Sequence, residues 1–448
     1  MRGTLRRYLG RVHARPGQSS LSLPRGLREG ANCRGRNMKV KAVPEKEEKL
    51  KELLRRHEEA SDRKAMILDC YQLGVLCQEA GRLPEAEALY RRSLVLCESI
   101  RDRSGVAAAY SRLGLLYEMY GDIGQARFFL EEARGTHRAI NDVRGLACDL
   151  GYLGFLYFAE GDFEAAEPLY RQALSLNEQV GNRSKQAEDC GNLGNLFRAR
   201  EEPEEAEEMY HSALQLYEEA GNKKGIGTQY RSLGDLCLAR GDLSQAQVFF
   251  ELGMQLHRDE SWAIGVALQC EGMARVLVAS HQLDKAEVMY REALDLYEQA
   301  GHKPKVSSAR MRLGALLLKK EDLEGASEQY EATLEANEML ADQRSIARSC
   351  KKLGDIYMNP VGASDLARSE SMYNRALSTY RDLDDESGEG SAYVGLGNLA
   401  ARRGEVTQAI AMWTAASQRY RKLGGTKQAQ EIDRAMKQLW VGGRPKVA

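Results

Sequence analysis

The chain has 448 residues, of which 43% are hydrophobic and 9 are proline, and it carries a formal net charge of −1. That supplies enough apolar material for a core and too little proline to interrupt long helices, which excludes disordered and collagen-like classes. No run approaches the roughly 18 apolar residues that span a bilayer, and residues 1–43 hold no apolar block of signal-peptide length, so the sequence reads as soluble, with no membrane insertion.

Charge is unevenly spread along the chain. Residues 1–43 hold nine Arg and two Lys against Glu29 alone, a local charge of +10, so the remainder carries −11. An acidic body lacks the basic footprint that duplex-binding proteins use to displace counterions, which argues against a nucleic-acid partner. The first segment, 1–43, is expected to be a basic, disordered tail. Its Arg-rich, Ser-containing stretch Met1–Asn37 matches a mitochondrial presequence in composition only. The competing readings are a plain basic extension, sequence upstream of a start at Met38, or a tether to an anionic surface.

Residues 44–60 follow as a charged amphipathic helix, Glu45–Ala60, placed to cap what comes next. From there the chain repeats itself. Leu-Gly stands at Leu73-Gly74, Leu113-Gly114, Leu153-Gly154, Leu193-Gly194, Leu233-Gly234, Leu313-Gly314 and Leu353-Gly354, with Met273-Ala274 filling the one gap in a 40-residue spacing. A ninth copy, Leu396-Gly397, comes 43 residues after the eighth because Asn359–Ser364 brings in three extra residues. Twelve residues after the glycines stand Ala86, Ala126, Ala166, Ala206, Ala246, Ala286 and Ala326, and beyond the insertion Ala367 and Ala409 are assigned the same place. A bulky side chain follows one helical turn later: Tyr90, Leu130, Tyr170, Tyr210, Phe250, Tyr290, Tyr330, Tyr373 and Trp413. Turns such as Gly121-Asp122, Gly161-Asp162 and Gly241-Asp242 end one helix and cap the next, so each repeat is a helical hairpin.

The pattern Leu-Gly-x-x-Tyr…Ala-x-x-x-Tyr, seen in Leu153-Gly154-Tyr157-Ala166-Tyr170, resembles the tetratricopeptide repeat (TPR), here with a period of 40 rather than 34. The long form, with its Leu-Gly-Asn and Gly-Asp punctuation, is similar to the repeats of Pins-type polarity adaptors and kinesin light chains. The resemblance implies an all-α, right-handed α-solenoid of nine TPR hairpins with N- and C-terminal capping helices. The repeats would be 61–100, 101–140, 141–180, 181–220, 221–260, 261–300, 301–340, 341–383 and 384–423, together spanning 61–423. Residues 424–441 form the second cap, with Ile432, Met436, Leu439 and Trp440 at helical spacing, and 442–448 a short tail. In the eighth repeat Asn359-Pro360 replaces the Gly-Asp turn, and the proline is expected to end the first helix.

No phosphate loop, HExxH, GxSxG or dinucleotide fingerprint is present, so neither a catalytic site, a metal site nor a cofactor is expected. Cys70, Cys190, Cys270 and Cys350 share one repeat position and Cys77 and Cys237 another. With no CxxC, they read as reduced core thiols. His211, His257 and His281 read as packing or solvated side chains.

In solenoids of the resembled family the first helices line a concave groove. Its expected members here are Tyr71, Phe155, Asn195, Arg198, Arg231, Asp235, Arg275, Lys351, Asp355, Asn398 and Arg402. The early repeats add apolar groove positions, the later ones polar and mixed charge. Asn195 and Asn398, directly after Leu-Gly, suit a peptide backbone, and Arg198 and Arg402 suit carboxylates. The expected partner is a protein or peptide, extended, with acidic and apolar residues. Chaperone tails are disfavoured, because no groove Lys is followed four residues later by Asn. The expected function is a non-enzymatic, cytoplasmic interaction scaffold or adaptor. The alternative is a peptide-responsive regulator of bacterial type, and mitochondrial targeting is the minor alternative for location.

Overall fold

The computed structural model describes residues 36–340, 342–359, 365–441 and 444–445. Residues 1–35 of the basic tail, Pro360 and the side chains of Leu439 and Trp440 therefore lie outside the described residues. The chain divides into two compact units, residues 1–122 and 123–448, the division falling between the two helices of the second repeat.

Among the described residues there are 20 helices. In the first unit α1 (Arg36–Glu59) precedes the hairpin α2 (Arg63–Glu79) and α3 (Leu83–Ser99), and α4 (Arg103–Tyr120) follows. Residues 36–43 are thus helical. The second unit opens with α5 (Ile123–Ala139) and continues as hairpins: α6 (Val143–Glu160) with α7 (Phe163–Gln179), α8 (Arg183–Ala199) with α9 (Pro203–Glu219), and α10 (Lys223–Ala239) with α11 (Leu243–Asp259). Next come α12 (Ala263–Ala279) with α13 (Leu283–Gln299), α14 (Lys303–Lys319) with α15 (Leu323–Leu340), α16 (Gln343–Met358) with α17 (Leu366–Asp382), and α18 (Glu386–Arg402) with α19 (Val406–Lys422). The last helix is α20 (Thr426–Leu439), after which Trp440–Val441 and Arg444–Pro445 pair as two-residue antiparallel strands. Within each unit every helix packs on its neighbours in sequence, and in unit 2 the first helices α6, α8, α10 and α12, and again α16 and α18, also touch in succession.

Local chemistry sets the helix ends. Asp102, Asp142, Asp162, Asn182, Asn222, Asp242, Asp342, Asp365 and Asp385 each accept a bond from the backbone N–H three residues on, occupying one of the donors a helix start leaves open. Gly121, Gly161 and Gly241 take φ near +80°, where an L side chain is strained. Asn359 is extended, at φ −65° and ψ 129°, as expected of a residue before proline, and α16 stops at Met358.

Packing follows the repeat. Ala86, Ala126, Ala166, Ala206, Ala246, Ala286, Ala326 and Ala409 have no exposed surface, and the six cysteines at repeat positions are buried free thiols. In the eighth repeat the alanine assignment is corrected: Ala367 is exposed, and Ser369 fills the buried small position, donating its hydroxyl to the Gly354 carbonyl at 2.8 Å. The three extra residues before α17 move the register on by three, which places Ser369, four residues before Tyr373, where alanine stands elsewhere.

Successive hairpins of unit 2 are also tied on their flanks. Glu167–Arg200 (2.6 Å), Glu207–Arg240 (2.5 Å), Glu287–Lys320 (2.7 Å) and Glu370–Arg403 (2.7 Å) repeat one 33-residue pairing, with the charges exchanged at Arg127–Glu160. These partly exposed pairs fix register more than they add stability, since such pairs contribute about 0–1 kcal/mol each.

A Cβ on Gly154 would sit 2.9 Å from the Tyr170 ring, whereas one on Gly135, an exposed position within α5, would meet nothing within 4 Å. Gly154→Ala is therefore expected to destabilise by about 1–3 kcal/mol through overpacking, and Gly135→Ala to stabilise by about 0.5–1 kcal/mol through helix propensity. Urea melts of the two variants should move in opposite directions.

Candidate functional site: the first-helix face of the hairpins

Each expected groove residue stands on the first helix of its hairpin, held there by the Leu-Gly register. Tyr71, in unit 1, is half-buried. Its hydroxyl accepts from Arg112 Nε at 2.7 Å, and the same guanidinium lies over its ring, 5.1 Å from the centroid.

The other ten residues belong to unit 2. On α6, Phe155 is 42% exposed and its neighbour Tyr152 38%, with the partly buried Phe158 beside them. On α8, Tyr210 from the paired helix donates its hydroxyl to Asn195 Oδ1 at 2.8 Å, and Arg198 Nε donates to the same hydroxyl oxygen at 3.3 Å. Asn398 and Asp355 repeat that arrangement: Trp413 Nε1 donates to Asn398 Oδ1 at 3.1 Å, and the Tyr373 hydroxyl to Asp355 Oδ1 at 2.8 Å.

The groove cations are brought together with carboxylates of the same face. Asp235 lies between Arg231, at 4.0 Å, and Arg275. Arg312 sits 3.7 Å from the buried Glu271, and Lys351 2.7 Å from Asp355. Arg198 and Arg402 are exposed and have no carboxylate partner among the described residues. The face therefore offers aromatic surface on α6, guanidinium groups from α8 to α14, and amide groups whose oxygens accept from the fold.

Sequence reasoning assigned these asparagines to a ligand and missed their pairing with the aromatic of the second helix. The signal was present: Asn195 with Tyr210 and Asn398 with Trp413 are both 15 residues apart, and Asp355 with Tyr373 is 18 apart across the three-residue insertion. It also missed His137, which is 5% exposed and 2.6 Å from the buried Asp149. His257 is a packed side chain, 1% exposed and edge-on to Trp262, and burial lowers its pKa to about 4. Among the described residues, no three His, Cys, Asp or Glu side chains converge as a metal site. No described helix is long and apolar enough to cross a membrane.

These hairpins define an all-α solenoid built from one repeated unit. The MalT-like TPR region matches residues 99–251, and further tetratricopeptide-repeat matches cover 267–339 and 70–104. The chain belongs to the tetratricopeptide-repeat family. Its fold is similar to that of a signal-transduction ATPase with a tetratricopeptide repeat sensor from Pyrococcus horikoshii, with 14% identity and a TM-score of 0.56 over 78% of this chain and 55% of that one. It is similar also to the apo form of the quorum sensor NprR from B. thuringiensis, with 16% identity and a TM-score of 0.52 over 66% of this chain and 84% of the other. No curated protein matches the sequence.

Removing the acceptor from Tyr210 should cost about 1–3 kcal/mol, because its buried hydroxyl loses that partner. Asn195→Leu is expected to show this loss in a thermal melt, and Tyr210→Phe in the same chain to recover most of it. Additive single-mutant effects would show that the bond contributes nothing.

Proposed function

We propose that the chain is a non-catalytic, cytoplasmic adaptor that holds a partner peptide along the first-helix face of unit 2. The 40-residue period and the Leu-Gly-Asn and Gly-Asp punctuation support a place with the long-repeat adaptors, Pins-type and kinesin light chain. The observation that carries the reading is the order of side chains on that face. The exposed aromatics Tyr152 and Phe155 on α6 are followed on successive first helices by Arg198, Arg231 and Arg275. An extended peptide with an apolar anchor and acidic residues is complementary to that order. Its carboxylates are accepted directly at Arg198 and, at Arg231 and Arg275, in competition with Asp235. Lys351 and Asp355, with Asn398 and Arg402 beyond them, would extend the same face toward α18.

A peptide-responsive sensor uses the same face with a different occupant, a small signalling peptide in place of a protein partner. Crosslinked capture from native extract, with the full chain and with a chain carrying Arg198→Glu, Arg231→Glu and Arg275→Glu, separates the readings. The adaptor reading expects a protein captured by the first and lost by the second, with unchanged helical circular dichroism. Capture by both places binding elsewhere on the molecule and removes the groove. Capture by neither favours the small-peptide sensor.

A further inference from the structure

In four successive hairpins of unit 2 one buried repeat position is polar. Asp149, Asp189, Gln229 and Gln269 stand five residues before their Leu-Gly or Met-Ala pair's second residue, on α6, α8, α10 and α12, and none is more than 5% exposed. Opposite them lies the last turn of the preceding second helix, with His137 on α5, Asn177 on α7, Tyr217 on α9 and His257 on α11. Two of these joints hold an ionisable group whose pKa the site raises.

In the first, the His137 ring lies between two carboxylates: Nδ1 is 2.6 Å from Asp149 Oδ2, and Nε2 is 3.6 Å from Asp142 Oδ2 at the start of α6. Burial opposes charge on the imidazole, but the hydrogen bond and the attraction of Asp149 and Asp142 outweigh it and hold its pKa above the ordinary value. In the second, Asn177 Nδ2 donates to Asp189 Oδ2 at 2.7 Å, and no other described group donates to that carboxylate. Around it stand Cys148 and Gly151 on α6, Tyr170 on α7, Lys185, Glu188 and Cys190 on α8, and Tyr217 on α9. Lys185, the cation among them, is bound to Glu188 at 2.6 Å. A neutral amide does not offset a buried negative charge as a cation does, and burial pushes the Asp189 carboxyl up to about 7 against the pull of the Asn177 bond.

We propose that the α5–α8 stretch is a proton-responsive pair of joints, tightened when His137 and Asp189 are protonated and loosened as the pH rises past neutrality. The two groups act in the same direction. Stability from Asp189 is full below the unfolded carboxyl value, near 3.8, and is lost as the pH rises through about 7. Stability from His137 is full below the unfolded value, near 6.5, and is lost as the pH rises through its higher folded value. The joint at His257 is the internal comparison. Its charged neighbours are Arg231 and Lys224, it has no carboxylate against it, and it stays neutral across the same range. Because α6 and α8 also present Tyr152, Phe155 and Arg198, the state of these joints reaches the first-helix face itself.

Hydrogen exchange of the full chain between pH 5.5 and 8, corrected for the intrinsic rate, tests this. Amides of α6–α8 are expected to open about tenfold more often at pH 8 than at pH 6, with α12–α14 unchanged within about twofold, a tenfold change being about one unit of proton linkage. Asp189→Asn keeps an acceptor for Asn177 and cannot ionise, so it should flatten most of the dependence. Asn177→His gives the second joint the imidazole of the first and should move the midpoint upward. Protection of α6–α8 that does not vary with pH in the unaltered chain overturns the proposal, as does a pH profile that neither variant alters.

Discussion

The ring of the second helix and the missing Cβ of the first occupy the same space in hairpin after hairpin. A Cβ would lie 2.5 Å from Tyr90 at Gly74, 2.9 Å from Tyr170 at Gly154, 2.5 Å from Tyr210 at Gly194, 2.9 Å from Phe250 at Gly234 and 2.7 Å from Tyr373 at Gly354. Only glycine allows the helices to close on the ring, and the close approach buries large aromatics completely. The Phe250 ring is approached from the next hairpin as well, where a Cβ on Gly272 would lie 2.2 Å from it, and the hairpin with Ala274 in place of the glycine still buries its own ring, Tyr290, to 5% exposure.

In these hairpins the contact sets the rotation of the first helix about its axis, and the candidate groove is a consequence. The residue after the glycine is brought beside the tip of the ring, so a polar aromatic there needs an acceptor. Asn195, Asp355 and Asn398 supply one to Tyr210, Tyr373 and Trp413. The same residues can therefore serve the fold with one atom and a ligand with another. The arginines nearby are similarly divided, since Asp235 holds Arg231 and Arg275 while Arg198 has no carboxylate partner among the described residues.

The joints between hairpins obey a different constraint. A second helix ends against the start of the next first helix, and the side chain in its last turn must be matched in a space with little water. The chain solves this differently from joint to joint: a His–Asp pair at His137, an Asn–Asp pair at Asn177, and a neutral imidazole against Trp262 at His257. Nothing in the 40-residue register requires the same solution twice, because each joint is a nearest-neighbour contact.

By itself the sequence determined the repeat, its period, the hairpin in each period, the buried alanines and thiols, and the turn residues that cap the helices. These are local or strictly periodic, and a 40-residue spacing of Leu-Gly carries them without reference to anything distant in the chain. Tertiary structure alone decided that Ser369 and not Ala367 fills the small position, since the register past an insertion depends on how the extra residues are accommodated. It alone decided that the side-chain oxygen of Asn195 is spent on Tyr210, which groove cations are already paired, and that Asp149 and Asp189 are buried beneath their neighbours. Each depends on two side chains from different helices meeting in low dielectric, and neither partner's identity can be read from its own position in the repeat.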